Sequence, residues 1–186
     1  MSCRRANRSP QARGKPGALS TGREFLSRVR IPACHAEHVS LDEFLGAADG
    51  VTDTATALNF LTKKQLRSRV ASGRWQRPCR GVFVAHSGPL EQSQILRVAL
   101  LAAGRQAVLG GLTAAWLDGF KGFGDQAPVS VRPVHLIVPA GFKPRVRPPT
   151  VNAVIHYSRT LTDLDVHPLR QPRRTGIARS LIDAAS

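Results

Sequence analysis

The chain has 186 residues, 42% of them hydrophobic, with 27 Lys/Arg against 12 Asp/Glu and a formal net charge of +15. That length suits one medium or two small domains with a real core, and that charge favours a polyanion, whether DNA, RNA or an anionic membrane surface. Cys3, Cys34 and Cys79 form no CxxC pair, which leaves no zinc or disulfide framework, and no apolar run approaches the roughly 18 residues of a membrane span. A reducing cytosol is the expected setting, and the basic N-terminus lacks the apolar stretch of a signal peptide.

Residues 1–38 are expected to be a disordered basic segment. The first 30 hold eight Lys/Arg and one Glu, with Ser, Pro and Gly scattered between them. Too few apolar side chains are present to offset the entropy of ordering. Two readings are open here: a basic arm that tracks nucleic acid, or a translated leader.

Order is expected from Val39. Ser40-Leu-Asp-Glu43 reads as a capping box, with Val39 and Phe44 at the hydrophobic-staple positions. Leu41, Phe44, Leu45 and Ala48 give a helical stripe, stopped by Asp49-Gly50. Thr52 is read as the cap of a second helix over 53–59, with Ala55 and Leu58 facing inward and Asn59 as a left-handed terminator. Thr62-Lys-Lys-Gln65 is a second capping box and opens a third helix, with Leu66 and Val70 inward and Gly73 as its stop. A three-residue turn between the last two helices fits a helix-turn-helix.

Two short strands, 74–77 and 82–85, are expected around a turn at 78–81. Trp75 and Phe83 are read as packing the hairpin onto the helices. The whole stretch 62–85 contains no Asp or Glu, but it holds Lys63, Lys64, Arg67, Arg69, Arg74, Arg77 and Arg80. A solvated surface helix usually mixes charge signs, so this run predicts contact with nucleic acid through those residues. A compact helix followed by a basic hairpin is the layout of a winged helix-turn-helix, assigned here to 39–87.

After a linker at 86–90, residues 90–103 predict an amphipathic helix with Ile95, Val98, Ala99, Leu101 and Ala102 on its apolar side. A short strand at 107–109 and a helix after Gly110-Gly111 follow. Then come a Gly-rich loop over 119–131, a buried-type strand at 134–138, and a loop with Lys143, Arg145 and Arg147. The remaining expectations are a strand at 151–157, an irregular stretch at 161–171, and a last helix over 173–185 with Ile177, Leu181 and Ile182 on one face. Residues 88–186 are thus read as a small α+β domain, and the whole chain as α+β.

The order Gly50-Val-Thr52, LTKKQLRSRVASGRWQRPCRGVFVAHSGP, LLAAG, TAAWLDGF, VHLIVP and RRTGIARSLIDAA resembles the AbiEi-type antitoxins of actinobacterial type IV toxin–antitoxin systems. The resemblance covers about residues 41–185, and the GRW…RGVFV and AAWL segments carry most of it. It implies a winged helix-turn-helix that binds double-stranded operator DNA and represses its own operon. It also implies a following domain that counters a nucleotidyltransferase-like toxin in the cytoplasm. The family's DNA-binding face corresponds to Lys63, Lys64, Arg67, Arg69, Arg74, Arg77 and Arg80. Gly110-Gly111 stands where relatives often have a His-Ser pair, and Gln171-Pro172-Arg173 replaces a Thr-Ser-Pro start. Because many relatives continue beyond the last motif, the 88–186 domain is expected to be incomplete.

The chemistry of an enzyme is not expected. The acids Asp118, Asp125, Asp163, Asp165 and Asp183 form no Asp/Glu-x-Lys arrangement, and only Asp163 and Asp165 lie close enough to suggest a weak metal pair. The six histidines fit no HExxH spacing, and no nucleophile elbow or phosphate loop occurs. No cofactor, metal or membrane partner is expected. Two alternatives stay open beside the regulator: a protein-interaction module in which 90–185 binds a toxin, and the remnant of a winged-helix/endonuclease fusion.

Overall fold

The computed structural model describes residues 39–120, 133–144 and 151–185, and it has an α+β architecture. The first three helices are set by local chemistry. At the start of α1 (Leu41–Ala47) the Glu43 N–H donates to Ser40 Oγ at 3.2 Å, and the Ser40 N–H donates to the Glu43 carboxylate at 2.8 Å. Two positive-φ residues, Asp49 (φ 50°) and Gly50 (φ 73°), then turn the chain, as expected. The expected staple does not hold: Val39 is 44% exposed, and Phe44 instead stacks on Phe60 with ring centroids 5.3 Å apart.

Thr52 does not cap the second helix. It lies in a strand, β1 (Val51–Asp53), and Asp53 caps α2 (Thr54–Phe60) by accepting the Thr56 N–H at 2.8 Å. Asp is as good a cap as Thr, and moving the cap one residue on frees the β-branched pair Val51-Thr52 for the sheet. Ala57 rather than Ala55 is buried. The helix ends in extended backbone at Leu61 rather than in a left-handed Asn59. Two residues, Leu61 and Thr62, connect it to α3 (Lys63–Ala71). There the capping box forms as read, with Gln65 N–H to Thr62 Oγ1 at 3.3 Å and Thr62 N–H to Gln65 Oε1 at 2.8 Å.

The hairpin comprises β2 (Gln76–Cys79) and β3 (Val82–Val84), joined by Arg80-Gly81, with Gly81 at φ +86°. Both strands are shifted or shortened from the expected 74–77 and 82–85. Antiparallel pairing of β1 with β3 makes a three-stranded sheet of order β1-β3-β2. Successive side chains of β3 point to opposite faces, and both faces are covered. Phe83 joins Leu45, Ala57, Leu61, Leu66 and Trp75 beneath the helices. Val51, Val82 and Val84 join Leu96, Val98, Ala99 and Ala102 of α4 (Gln92–Ala103). Leu101, read as part of that apolar side, is exposed, and Gln94 is buried in its stead.

Gln94 ties α4 to the turn after α1. Its Nε2 donates to the Asp49 carbonyl at 2.9 Å, and its Oε1 accepts the Glu91 N–H at 3.0 Å. Arg97 adds an ion pair to Asp49 at 2.6 Å and a bond to the Ala47 carbonyl at 3.1 Å. The described residues between 39 and 185 belong to one compact unit.

The second sheet has the order β4-β5-β6: β4 (Val108–Leu109) pairs antiparallel with β5 (Val134–Pro139), which pairs in parallel with β6 (Ala153–Ser158). Between β4 and α5 (Gly111–Leu117), a Cβ at Gly110 would overlap the Ile137 side chain, so this crossing requires glycine. The last helix, α6, covers only Ile177–Ala184. Residues 173–175 are extended and bond to Leu109, with Leu109 N–H to Arg173 O at 3.0 Å and Thr175 N–H to Leu109 O at 2.9 Å. On this helix Ser180 is buried, while Ile177 and Ile182 of the apolar face are 40% and 64% exposed. The basic segment at 1–38, most of the Gly-rich loop, and Arg145 and Arg147 lie outside the described residues.

Candidate nucleic-acid interface

The seven sequence-predicted cations sit on α3, on β2 and in the two turns that follow them. Lys63, Lys64 and Arg67 are exposed on α3, Arg74 at its exit, Arg77 on β2 and Arg80 at the hairpin tip. Arg69 differs, because its guanidinium lies 5.2 Å over the ring of Trp75. Trp75 itself is 5% exposed, so it packs the module and offers no platform for a base.

Two features bear on these cations, although Arg105, Lys143 and Arg159 also stand outside the carboxylate ion pairs among the described residues. Lys63 and Lys64 stand in the first turn of α3, against the positive end of the helix dipole, and no acid accompanies them there. A cation in that position opposes the helix by about 0.3–1 kcal/mol. A local conflict of this kind is expected where function, not folding, sets the residue.

Charge pairing is the second feature. Among the described residues, no carboxylate ion pair involves Lys63, Lys64, Arg67, Arg69, Arg74, Arg77 or Arg80. Arg97, Arg170, Arg174 and Arg179 are each paired with an aspartate.

Lys63, Arg67 and Arg77 are brought together at the edge of a concavity of about 500 Å³ between α2, α3 and the hairpin. Its walls include Leu58, Leu66, Val70 and Phe83. Lys64, Arg69, Arg74 and Arg80 lie outside its lining. Leu66, Val70 and Phe83 pack in the core as expected, and the concavity lies over them. Its signal in the sequence was present only as apolar side chains alternating with cations along α3. Behind the hairpin, burial pushes the Cys79 thiol up, and Arg77 partly opposes the shift.

The acids considered for metal binding have other uses. The Asp118 side chain is fully buried and takes Arg170 and Arg174, the latter at 2.9 Å. Asp165 caps its own turn by accepting the Thr162 N–H at 2.7 Å, and this bond and the Thr162 hydroxyl hold its carboxyl below the ordinary value. Asp183 pairs with Arg179 at 2.9 Å along α6. Among the described residues no group of three or more His, Cys, Asp or Glu could hold a metal ion. No helix among them is long and apolar enough to cross a membrane.

One pairing was not foreseen. His135 and His156, from adjacent parallel strands, lie with Nδ1 and Nε2 3.0 Å apart and rings stacked at 5.3 Å. Burial, and secondly the neighbouring His156, hold His135 below the ordinary histidine value.

No protein-family model matches the chain, and no curated protein matches it.

Proposed function

We propose that the chain is a double-stranded-DNA-binding transcriptional regulator of the AbiEi antitoxin type, acting by binding rather than catalysis and repressing its own operon in the cytoplasm. The observation that carries this reading is the set of exposed, acid-free cations on α3 and the β2–β3 turn. The element order α1-β1-α2-α3-β2-β3, with sheet order β1-β3-β2, supports a winged helix-turn-helix in which α3 is the reading helix and the hairpin the wing. With nine residues α3 is about 13 Å long, comparable to the width of a major groove, about 12 Å. Its N-terminal lysines would face base edges or phosphates, and Arg77 and Arg80 the backbone.

The test is a titration of the full chain against its own promoter fragment at several salt concentrations. Neutralising about five phosphates gives a slope of log K against log salt near −4.5. Replacing both Lys63 and Lys64 by Ala weakens binding and makes the slope shallower by about 2. Replacing the exposed Arg105 leaves both unchanged. A flat salt response, or no binding at low salt, would reject the reading.

A second reading has its own support. Ile177 and Ile182 of α6, with Leu164 and Leu169 before it, expose large apolar side chains. Such surface suits a protein partner on the second half, which in the AbiEi reading is a nucleotidyltransferase-like toxin. Co-purification of a neighbouring gene product, lost on replacing Ile182 with Asp, tests this role.

A further inference from the structure

A DNA-binding role accounts for the cations on this face; the apolar floor between them is the outer side of the core cluster, with Leu66 and Phe83 buried in it and Leu58 and Val70 half-buried against it. A phosphodiester is a hydrated ion and gains nothing from Leu58, Leu66, Val70 and Phe83. Those side chains nevertheless line an open concavity of about 500 Å³, inside the range of about 300–1,000 Å³ typical of small-molecule sites. Its three charged lining residues are Lys63, Arg67 and Arg77; no acid lines it, and none of the three is paired with a carboxylate among the described residues. A purely anionic ligand would leave the floor unused, and a purely apolar one would leave the cations uncompensated. The chemistry that satisfies both is a single anionic head on an apolar body.

We propose that the concavity between α2, α3 and the hairpin binds an amphipathic organic anion, an aliphatic or aromatic carboxylate or sulfonate, and that its occupancy displaces DNA. The carboxylate head takes Arg67 and Arg77 in charge-assisted hydrogen bonds, and the body lies on Leu58, Leu66 and Val70. Displacement follows because the head occupies cations that phosphates need. This second half rests on the DNA-binding reading above; ligand binding itself does not.

The test uses the full chain, methyl-labelled for NMR and titrated with sodium hexanoate, octanoate and decanoate, with acetate matching the ionic strength. The expected result is saturable, one-to-one shifts of the Leu58, Leu66 and Val70 methyls. Each added methylene should tighten binding about fourfold, the factor that corresponds to burying one CH₂. Arg67→Ala weakens octanoate binding fivefold or more. Ala71→Trp, at an exposed lining position, blocks it without removing a charge. Octan-1-ol binds more weakly than octanoate.

Absence of saturable shifts at those methyls overturns the proposal. Shifts centred on Ile177 and Ile182, or affinity insensitive to chain length, do the same. These wild-type readouts stand even if a variant fails to fold. In the DNA arm, saturating octanoate raises the Kd for the promoter fragment at least fivefold. Floor shifts without that rise overturn the displacement. Floor shifts in a protein that binds no DNA at any salt support the site and reject the DNA reading instead.

Discussion

His135 shows how much a single residue depends on its surroundings. Taken alone it is one histidine in a strand; in the fold it is half-buried, stacked on His156, and held below its ordinary value first by burial and then by that neighbour. The folded state therefore binds its proton less readily than the unfolded chain. The corresponding stability is complete above the unfolded value of about 6.5, and it is lost as pH falls through that value towards the lower folded one. Urea midpoints at pH 7.5 and 5.5 measure the loss, which His135→Gln should reduce. Cys79 makes a second residue-scale case. Its buried thiol, raised in pKa, should resist iodoacetamide at pH 8 in the native protein and react only after unfolding, as peptide mapping would show. The identities of Trp75 and Phe83 were enough to place both in the core. Nothing in the identities of His135 and His156 placed them together, because the register of two parallel strands is settled by the sheet.

Elements whose ends are fixed within four residues were legible. The Ser40 and Thr62 capping boxes form as read, because donor and acceptor are both supplied locally. Thr62→Ala should cost about 1 kcal/mol, measured by denaturant unfolding, and it also loosens the end of α3 that carries Lys63 and Lys64. Elements that depend on distant pairing were misread. Val51–Asp53 became a strand because β3 was available to pair with it, which moved the α2 cap from Thr52 to Asp53. Residues 173–175 left the last helix for the same reason, drawn into extended pairing with Leu109. Helix α6 buries Ser180, whose hydroxyl meets Thr175 Oγ1 at 2.8 Å, and turns Ile177 and Ile182 outward.

For the whole molecule, the central fact is that the hairpin sheet is covered on both faces. Residues 39–87 supply one face through α1–α3; α4 supplies the other and is tied to the Asp49 turn by Gln94 and Arg97. A fragment ending at residue 87 would expose Val51, Val82 and Val84 to water. It should therefore show no cooperative thermal transition, whereas the full chain should; circular dichroism melts of the two decide this.

By itself, the sequence determined the α+β class, the helix caps and stops, and the acid-free run of cations from Lys63 to Arg80. Composition and contacts over three or four residues suffice for these. Only the tertiary structure decided that Val51–Asp53 closes the first sheet and that α4 covers its far side. It also decided that Leu58, Leu66, Val70 and Phe83 form a floor between Lys63, Arg67 and Arg77. Each of these joins residues far apart in the chain. Shared burial of apolar surface and strand register select such contacts, and neither is encoded in a local window.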